Sequence, residues 1–334
     1  MTEARSRHVV VFVLRIAVGV AVGVLLLWLA FKGVTWSDVA NVLRNLSYKW
    51  IAAALALYYL ALATRAFRWW LILKQILDLS LRKVSVALLV GYAVNALLPA
   101  RLGELFRADF CRRQYGVPRT KVLGSIMIER FTDGVTVLVA LAIGIAAIGT
   151  DSERAPVVTS LIAAGSIVFA ALGVALYVLG SGVAERLTQR IPAVSARFAA
   201  LAESLVTVRS QRMIGILAVS IVVWILDGAA IWGVLAACGV RLDVLAMCLV
   251  VGVVSLSTLL PSPPGFLGTL QFAFAIAVST FGYSWSQGIA AATVSQVFLL
   301  GSMVAVGLAL LLAAYSSRVY RDAKLLRTSS GRPT

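Results

Sequence analysis

Two apolar stretches, residues 84–113 and 244–283, are each longer than one bilayer crossing and too short for two comfortable crossings with a loop. A membrane-spanning helix needs about 20 apolar residues. Both stretches break in the middle at the same punctuation, VNALLPARLGELFR in the first and LSTLLPSPPGFLGTLQF in the second, where Leu-Leu-Pro is followed four residues later by Gly. Proline removes a backbone donor and glycine opens conformations closed to other residues, so each break frees peptide groups that hydrocarbon cannot satisfy. Irregular backbone survives at membrane depth only inside protein or along a wet cavity. The two stretches are therefore expected to be re-entrant hairpins with tips at Pro99 and Gly103 in one and at Pro261, Pro264, Gly265 and Gly268 in the other.

Six more apolar runs lie near residues 9–31, 50–74, 122–149, 156–179, 213–238 and 287–315. With 61% hydrophobic residues in 334, the chain carries more apolar surface than a soluble domain of that length can bury. The expected fold is an all-α polytopic membrane protein with about six full spans plus two re-entrant hairpins, forming a single transmembrane domain over residues 1–334. The amino-terminal run is too long for a signal-peptide core and lacks a small-x-small cleavage site, so it reads as an uncleaved first span. Residues 180–212 carry apolar positions at helical spacing among arginines and read as a cytoplasmic linker lying on the membrane surface, and residues 316–334 as a cytoplasmic tail.

Lys and Arg outnumber Asp and Glu 30 to 14, a formal net charge of +16. In a soluble chain that balance raises nucleic-acid binding; here it reads as cytoplasmic loops beside anionic lipid, and no nucleic-acid partner is expected. If both broken stretches enter and leave on one side, nearly all basic residues fall on the side of the amino terminus, with Arg65 and Arg68 counted at the inner end of the second run. Only Lys32, Arg44, Lys49, Arg154 and Arg241 fall opposite. This bias favours hairpins, with both termini on the cytoplasmic side of the cytoplasmic membrane. Cys111, Cys238 and Cys248 have no paired spacing and His8 is the single histidine, so neither a disulfide framework nor a metal or cofactor site is expected.

Sliding the sequence against itself by 162 positions superposes Leu97, Leu98, Pro99, Gly103 and Leu105 on Leu259, Leu260, Pro261, Gly265 and Leu267, and Trp70 on Trp232. The same shift lays four apolar runs on the other four, defining repeats over about 9–149 and 156–315. In the derived orientation the repeat is inverted, as in many transporter folds. Hairpins of opposite origin meeting near the midplane make a cavity whose freed amides and helix amino ends favour an anion.

Charged residues inside such segments are expensive unless paired or hydrated. Asn95, Arg101, Glu104 and Arg107 cluster around the first tip; Glu104 is positioned to hold either arginine, and an arginine fork suits phosphate oxygens. The competing reading makes Arg101 and Arg107 interfacial snorkelling residues. In IMIERFTDG, Glu129 and Asp133 share one helix face with Arg130 beside them, serving either substrate or a salt bridge from Arg130 to Glu104 or Asp227. Asp227 falls on Arg65 under the 162-residue shift, which suggests an ion pair across the pseudo-symmetry axis or a proton site. Gln271 and Gln296 read as bonding a neighbouring helix, and Trp69, Trp70, Trp224 and Trp285 as belt or packing residues.

NALLPARLGELFR, the run beginning IERFTDG, and LLPSPPGFLGTLQ together resemble the lysylphosphatidylglycerol synthase transmembrane family, also described as flippase-like, over almost the whole chain. The resemblance implies a bundle with re-entrant elements that moves lipid headgroups, in a family associated with aminoacylated phosphatidylglycerol, polyprenyl-linked sugars and hopanoid gene neighbourhoods. Pro99, Arg101, Gly103 and Glu104 match its first motif, Glu129, Arg130 and Asp133 its second, and Pro261, Pro264, Gly265 and Gly268 its third. Where the family often carries an acidic residue and a later arginine, this chain has Gln271 and the neutral stretch around Gln296. The chain ends about 20 residues after its last run, so the soluble aminoacyl-transfer domain of longer members is expected to be missing, and with it aminoacyl-lipid synthesis.

The resulting expectation is a lipid translocator and not an enzyme, moving an anionic phospholipid, aminoacyl-lipid or polyprenyl-phosphate-linked sugar between the two hairpins. Asn95, Arg101, Glu104, Arg107, Glu129, Arg130, Asp133 and Asp227 are its candidate substrate-binding residues. No Walker motif is present to suggest ATP hydrolysis in this chain. Two alternatives stay open: a membrane transferase acting on a lipid carrier, with Glu104, Glu129 and Asp133 as acid and base, and a scaffold working with envelope-biosynthesis proteins.

Overall fold

The computed structural model describes residues 21, 23–32, 34, 36–98, 102–148, 160, 163, 167, 210–258 and 262–329. All regular structure among them is helical. In chain order the helices are α1 (Gly23–Phe31), α2 (Trp36–Arg44), α3 (Tyr48–Leu73), α4 (Leu81–Leu97), α5 (Leu102–Tyr115), α6 (Arg119–Ile148), α7 (Ser210–Ala237), α8 (Val244–Ser257), α9 (Thr269–Ser279), α10 (Trp285–Val294) and α11 (Gly301–Ser329). A 3-10 turn, Pro264–Phe266, lies between α8 and α9, and a π-helical turn, Ser295–Leu300, joins α10 to α11.

Local chemistry sets several boundaries. Asp243 caps α8 by accepting from the Ala246 N–H at 2.8 Å, and Ser284 and Gln287 form a capping box at the start of α10. α4 ends at Leu98, which adopts extended backbone (φ −105°, ψ 141°) because the proline that follows disfavours the helical region for its predecessor. The first broken stretch thus becomes α4 and α5, and the second α8, the 3-10 turn and α9; in each the two arms pack on one another.

Three helical spans, Tyr48–Leu73, Arg212–Ala237 and Trp285–Ser316, are long and apolar enough to cross a membrane, or four if α1 and α2, bent by 88°, count as one. The expected six full spans are therefore not reached among the described residues. The expected run 156–179 lies almost entirely outside them, as do most of the linker 180–212, the end of the tail, and Pro99, Arg101 and Pro261.

The 162-residue shift carries α3 onto α7, α4 onto α8, α5 onto α9, and α6 onto the α10–α11 region. The packing follows the same relation. α3 and α7 make the most extensive contact, α6 packs on α8, and α11 packs on α4. Trp70 and Trp232 repeat a bond as well: each indole N–H donates to a carbonyl just before the next helix, Leu79 O at 3.0 Å and Leu242 O at 3.1 Å.

Among the described residues, the two largest apolar cores are built around Leu249, Val250, Phe274 and Val278 and around Trp69, Leu88, Cys111 and Val122. α3 and α6 reach into both. On α3, Ile51 and Ala54 join the first core and Trp69 and Leu73 the second, with Arg65 and Arg68 between; on α6, Val137 and Leu141 join the first and Val122 and Ile126 the second, with Glu129, Arg130 and Asp133 between. The charges occupy the seam where the cores meet.

Gly103 sets the closeness of the first helical pair. A Cβ built there would stand 2.4 Å from the Gly91 carbonyl oxygen and 2.4 Å from the Asn95 Cβ. Gly103→Ala is expected to destabilise the protein by about 1–3 kcal/mol despite alanine's better helix propensity. Thermal unfolding in detergent checks this; a gain in stability would mean that α4 and α5 do not touch there.

Candidate functional site

Four arginines and four carboxylates converge on the seam: Arg65, Arg68, Arg107 and Arg130 with Glu104, Glu129, Asp133 and Asp227. Their formal charges cancel, as burial in low dielectric demands. Glu129, fully buried, is the hub. It accepts from Arg107 Nη2 at 2.8 Å, from the Tyr92 hydroxyl at 3.0 Å and from Arg130 Nη2 at 3.2 Å, with Arg68 Nη2 at 3.6 Å. One turn on, Asp133 accepts from Arg68 Nη1 at 2.5 Å and from the Trp224 indole at 3.2 Å. Arg68 Nη1 also donates to Ser220 Oγ at 2.9 Å, tying α3, α6 and α7 together.

The expected pair across the repeat is formed. Arg65 Nη2 of α3 donates to Asp227 Oδ2 of α7, and the Arg65 guanidinium sits over the Trp224 ring, 5.4 Å from its centroid. Neutralising either partner strands the other, whereas exchanging them restores opposite charges. Arg65→Asp and Asp227→Arg are therefore each expected to destabilise, and the double exchange to recover about 0.5–3 kcal/mol of coupling, read by a double-mutant cycle of unfolding midpoints.

Several sequence expectations change here. Arg107 is not a snorkelling residue: it is 1% exposed, bound to Glu129, with its guanidinium 3.3 Å from the centroid of the Trp69 ring. Glu104 faces Arg130 Nε at 3.4 Å, one of the two bridges anticipated for Arg130, while Arg107 pairs with Glu129; Arg101 lies outside the described residues. Arg65 and Arg68 lie inside the bundle, paired with Asp227 and Asp133. Trp69 is wholly buried and donates to Ser125 Oγ, and Trp224 lines the cavity, so neither is a belt residue. Gln271 and Gln296 do bond a neighbour, namely each other, at 2.5 Å.

Two adjoining chambers open beside this network, one of about 430 Å³ and one of about 210 Å³. Asp133, Trp224 and Asp227 line the larger, against Ser295 and Gln296 of the π-helical turn. Asn95, Gly103 and Arg107 line the smaller, where the Asn95 Oδ1 has no hydrogen-bond partner. Arg65, Glu104 and Arg130 border both. The sequence-predicted residues Asn95, Glu104, Arg107, Glu129, Arg130, Asp133 and Asp227 thus come together, and Arg68, Tyr58, Tyr92 and Trp224 join them unanticipated. The missed signal was Arg65 and Arg68 at three-residue spacing inside an otherwise apolar helix, the same pattern that singled out Glu129 and Asp133. Among the described residues no cluster of His, Cys, Asp and Glu could hold a metal ion.

No solved structure matches the chain. It is 26% identical to glycosyltransferase AglD of Haloferax volcanii over 92% of its own length and 57% of that protein's, so it spans little more than half of that relative. It is 25% identical to a UPF0104 membrane protein of Methanothermobacter thermautotrophicus, over 88% of this chain and 94% of the relative. The expectation that the chain is not an enzyme is overturned by these comparisons, because one relative bears the name of a glycosyltransferase and the matching family is named for a synthase. Residues 16–323 match the family described as the lysylphosphatidylglycerol synthase TM region. With nearly the whole chain covered and its apolar helices in place, this is a membrane-embedded protein that belongs to the lysylphosphatidylglycerol synthase transmembrane-region family.

Proposed function

We propose that the paired chambers receive the phosphate-bearing headgroup of a membrane lipid or lipid-linked sugar and carry it between leaflets, with Arg130 as the contacting cation. One observation carries this reading. Arg65, Arg68 and Arg107 are each held by a carboxylate in a close hydrogen bond, whereas the carboxylates around Arg130 stand off at 3.2–3.8 Å. Its buried Nε has no hydrogen-bond partner, its side chain is 28% exposed, and it borders both chambers. A phosphate oxygen satisfies that donor with a charge-assisted bond, about twice as strong as a neutral one, alongside the looser carboxylate contacts.

The related packing of the two halves supports an inverted repeat with α4–α5 and α8–α9 as re-entrant hairpins from opposite faces, both termini being cytoplasmic. Reconstitution into liposomes with fluorescent lipids of differing headgroup tests the reading. Leaflet exchange above that of protein-free liposomes is expected, and none for any headgroup would sink it. The name of the AglD relative favours a second reading, transfer chemistry on a lipid carrier, with the half-buried Glu104 beside Arg130 as base. Incubating purified protein with a sugar nucleotide and a polyprenyl phosphate separates the two, since glycosylated lipid appears only under the second.

A further inference from the structure

Phe266 lines both chambers. Among the described residues it is the one non-glycine with positive φ, 57°, a region that costs a phenylalanine strain and persists only where the surroundings impose it. The surroundings do impose it. Its neighbours Gly265 and Gly268 take φ of 72° and 84°, and the Phe266 carbonyl accepts from Thr269 Oγ1 at 2.9 Å. Two glutamines, Gln271 and Gln296, clamp the turn from both ends. Gln296 Nε2 donates to the Gly265 carbonyl at 2.8 Å, Gln271 Oε1 accepts from the Gly268 N–H at 2.8 Å, and Gln271 Nε2 closes the loop onto Gln296 Oε1. On the other side Gly23 leaves no room: a Cβ there would meet the Pro263 ring at 2.1 Å. The turn that presents Phe266 is thus held on three sides, and Gln296 belongs to a π-helical turn, a distortion frequent at functional sites.

From this geometry we infer that Phe266 is a fixed partition between the chambers and sets the size of headgroup that passes from one to the other. The inference rests on the headgroup reading above for its substrate, though not for the partition itself. Phe266, Tyr58 and Leu300 line both chambers together with the charged Arg65, Glu104 and Arg130. A phosphate keeps contact with the charged residues while whatever it carries must clear the ring. Phe266 therefore discriminates by the bulk of the group attached to the phosphate, and Gln271 and Gln296 are positioning residues that hold it in place.

The test uses two arms. In the first, Ala96→Cys in the smaller chamber and Ser255→Cys in the larger are combined in a chain whose Cys111, Cys238 and Cys248 are replaced by alanine, and bis-maleimides of graded length are applied. The linked peptide pair is then quantified by mass spectrometry. Cross-linking is expected to be weak with Phe266 and to rise severalfold with Phe266→Gly, which removes the ring and suits the positive φ. Equal cross-linking in both would overturn the inference, whatever the lipid data. Should Phe266→Gly not fold, Phe266→Leu replaces it, with a smaller rise expected. In the second arm, leaflet exchange is compared for fluorescent phosphatidylglycerol and for a bulkier phosphatidylinositol. Phe266→Gly is expected to accelerate the bulky lipid more than the small one, and Gln296→Ala to do so in part. Exchange of both lipids with an unchanged ratio overturns the size selection. Exchange absent from every protein overturns the headgroup reading and size selection, while increased cross-linking still supports the partition.

Discussion

Glu129→Gln is expected to destabilise the protein by about 3–5 kcal/mol, the loss typical of removing one partner from a buried ion pair. The carboxylate has no solvent contact and is approached by Arg107, Arg130, Arg68 and Tyr92 at once. A neutral amide leaves those cations facing one another where water cannot screen them. Arg107 suffers most, since among the described residues Glu129 is the carboxylate it pairs with, its guanidinium lies on the face of Trp69, and its Nε already has no hydrogen-bond partner. Removing Arg107 as well, as Glu129→Gln with Arg107→Met, is expected to recover part of the loss, because deleting both partners costs less than stranding one. Thermal unfolding in detergent measures both changes; a stability within about 0.5 kcal/mol of the parent for the single variant would refute the hub role of Glu129.

Arg130→Gln is expected to do the reverse, with a modest effect on stability and a large one on lipid handling. Its ion pairs are long, and Glu129 and Asp133 keep Arg107 and Arg68 as partners when it is removed. What disappears is the cation open to both chambers. A hydrogen bond to a charged group is worth about 1.5–3 kcal/mol, so headgroup exchange and the affinity for short-chain phosphatidylglycerol are expected to fall roughly ten- to a hundredfold. Arg130→Lys should lie between, keeping the charge while losing the planar fork. Full exchange by a stably folded Arg130→Gln protein would remove Arg130 from the substrate's path.

The contrast between these variants reflects how the network divides. Glu129, Asp133, Arg68 and Arg107 are buried and ion-paired with one another, and they hold α3, α5, α6 and α7 together. Arg130 and Glu104 lie at its edge, where the chambers open. The buried part costs desolvation energy that apolar residues would not, so its use is in orientation: it fixes the position of the cation that remains approachable. A mutation at the edge should change rate or affinity, and one in the centre should change folding.

The breaks in the helices were legible from residues alone, because proline and glycine act through the local backbone wherever they occur. α4 ends before Pro99 and α8 before the Pro-rich turn, as the two motifs require. Helix bounds followed the apolar runs closely, with α3 at Tyr48–Leu73 and α7 at Ser210–Ala237 against runs of 50–74 and 213–238. The Arg65–Asp227 pair was legible through the 162-residue shift, since repeats bring equivalent positions of their central helices together. Arg68 and Trp224 were not. An arginine near the end of an apolar run and a tryptophan within it read equally well as membrane-interface residues, and only the rotation of α3 and α7 against α6 decides that both point at Asp133.

By itself, then, the sequence determined the solvent in which this chain folds, where its helices must break, and which ionisable residues would have to find partners inside the bundle. Those are consequences of composition, of proline and glycine geometry, and of the cost of charge in hydrocarbon, all of which act within a few residues of the group concerned. Only the tertiary structure decided which partner each charge takes, that Arg130 is held loosely while Arg107 is locked, and that Phe266 lines both chambers. Those outcomes depend on distances of a few tenths of an ångström between helices far apart in the chain, set by the packing of two apolar cores on either side of the charged seam.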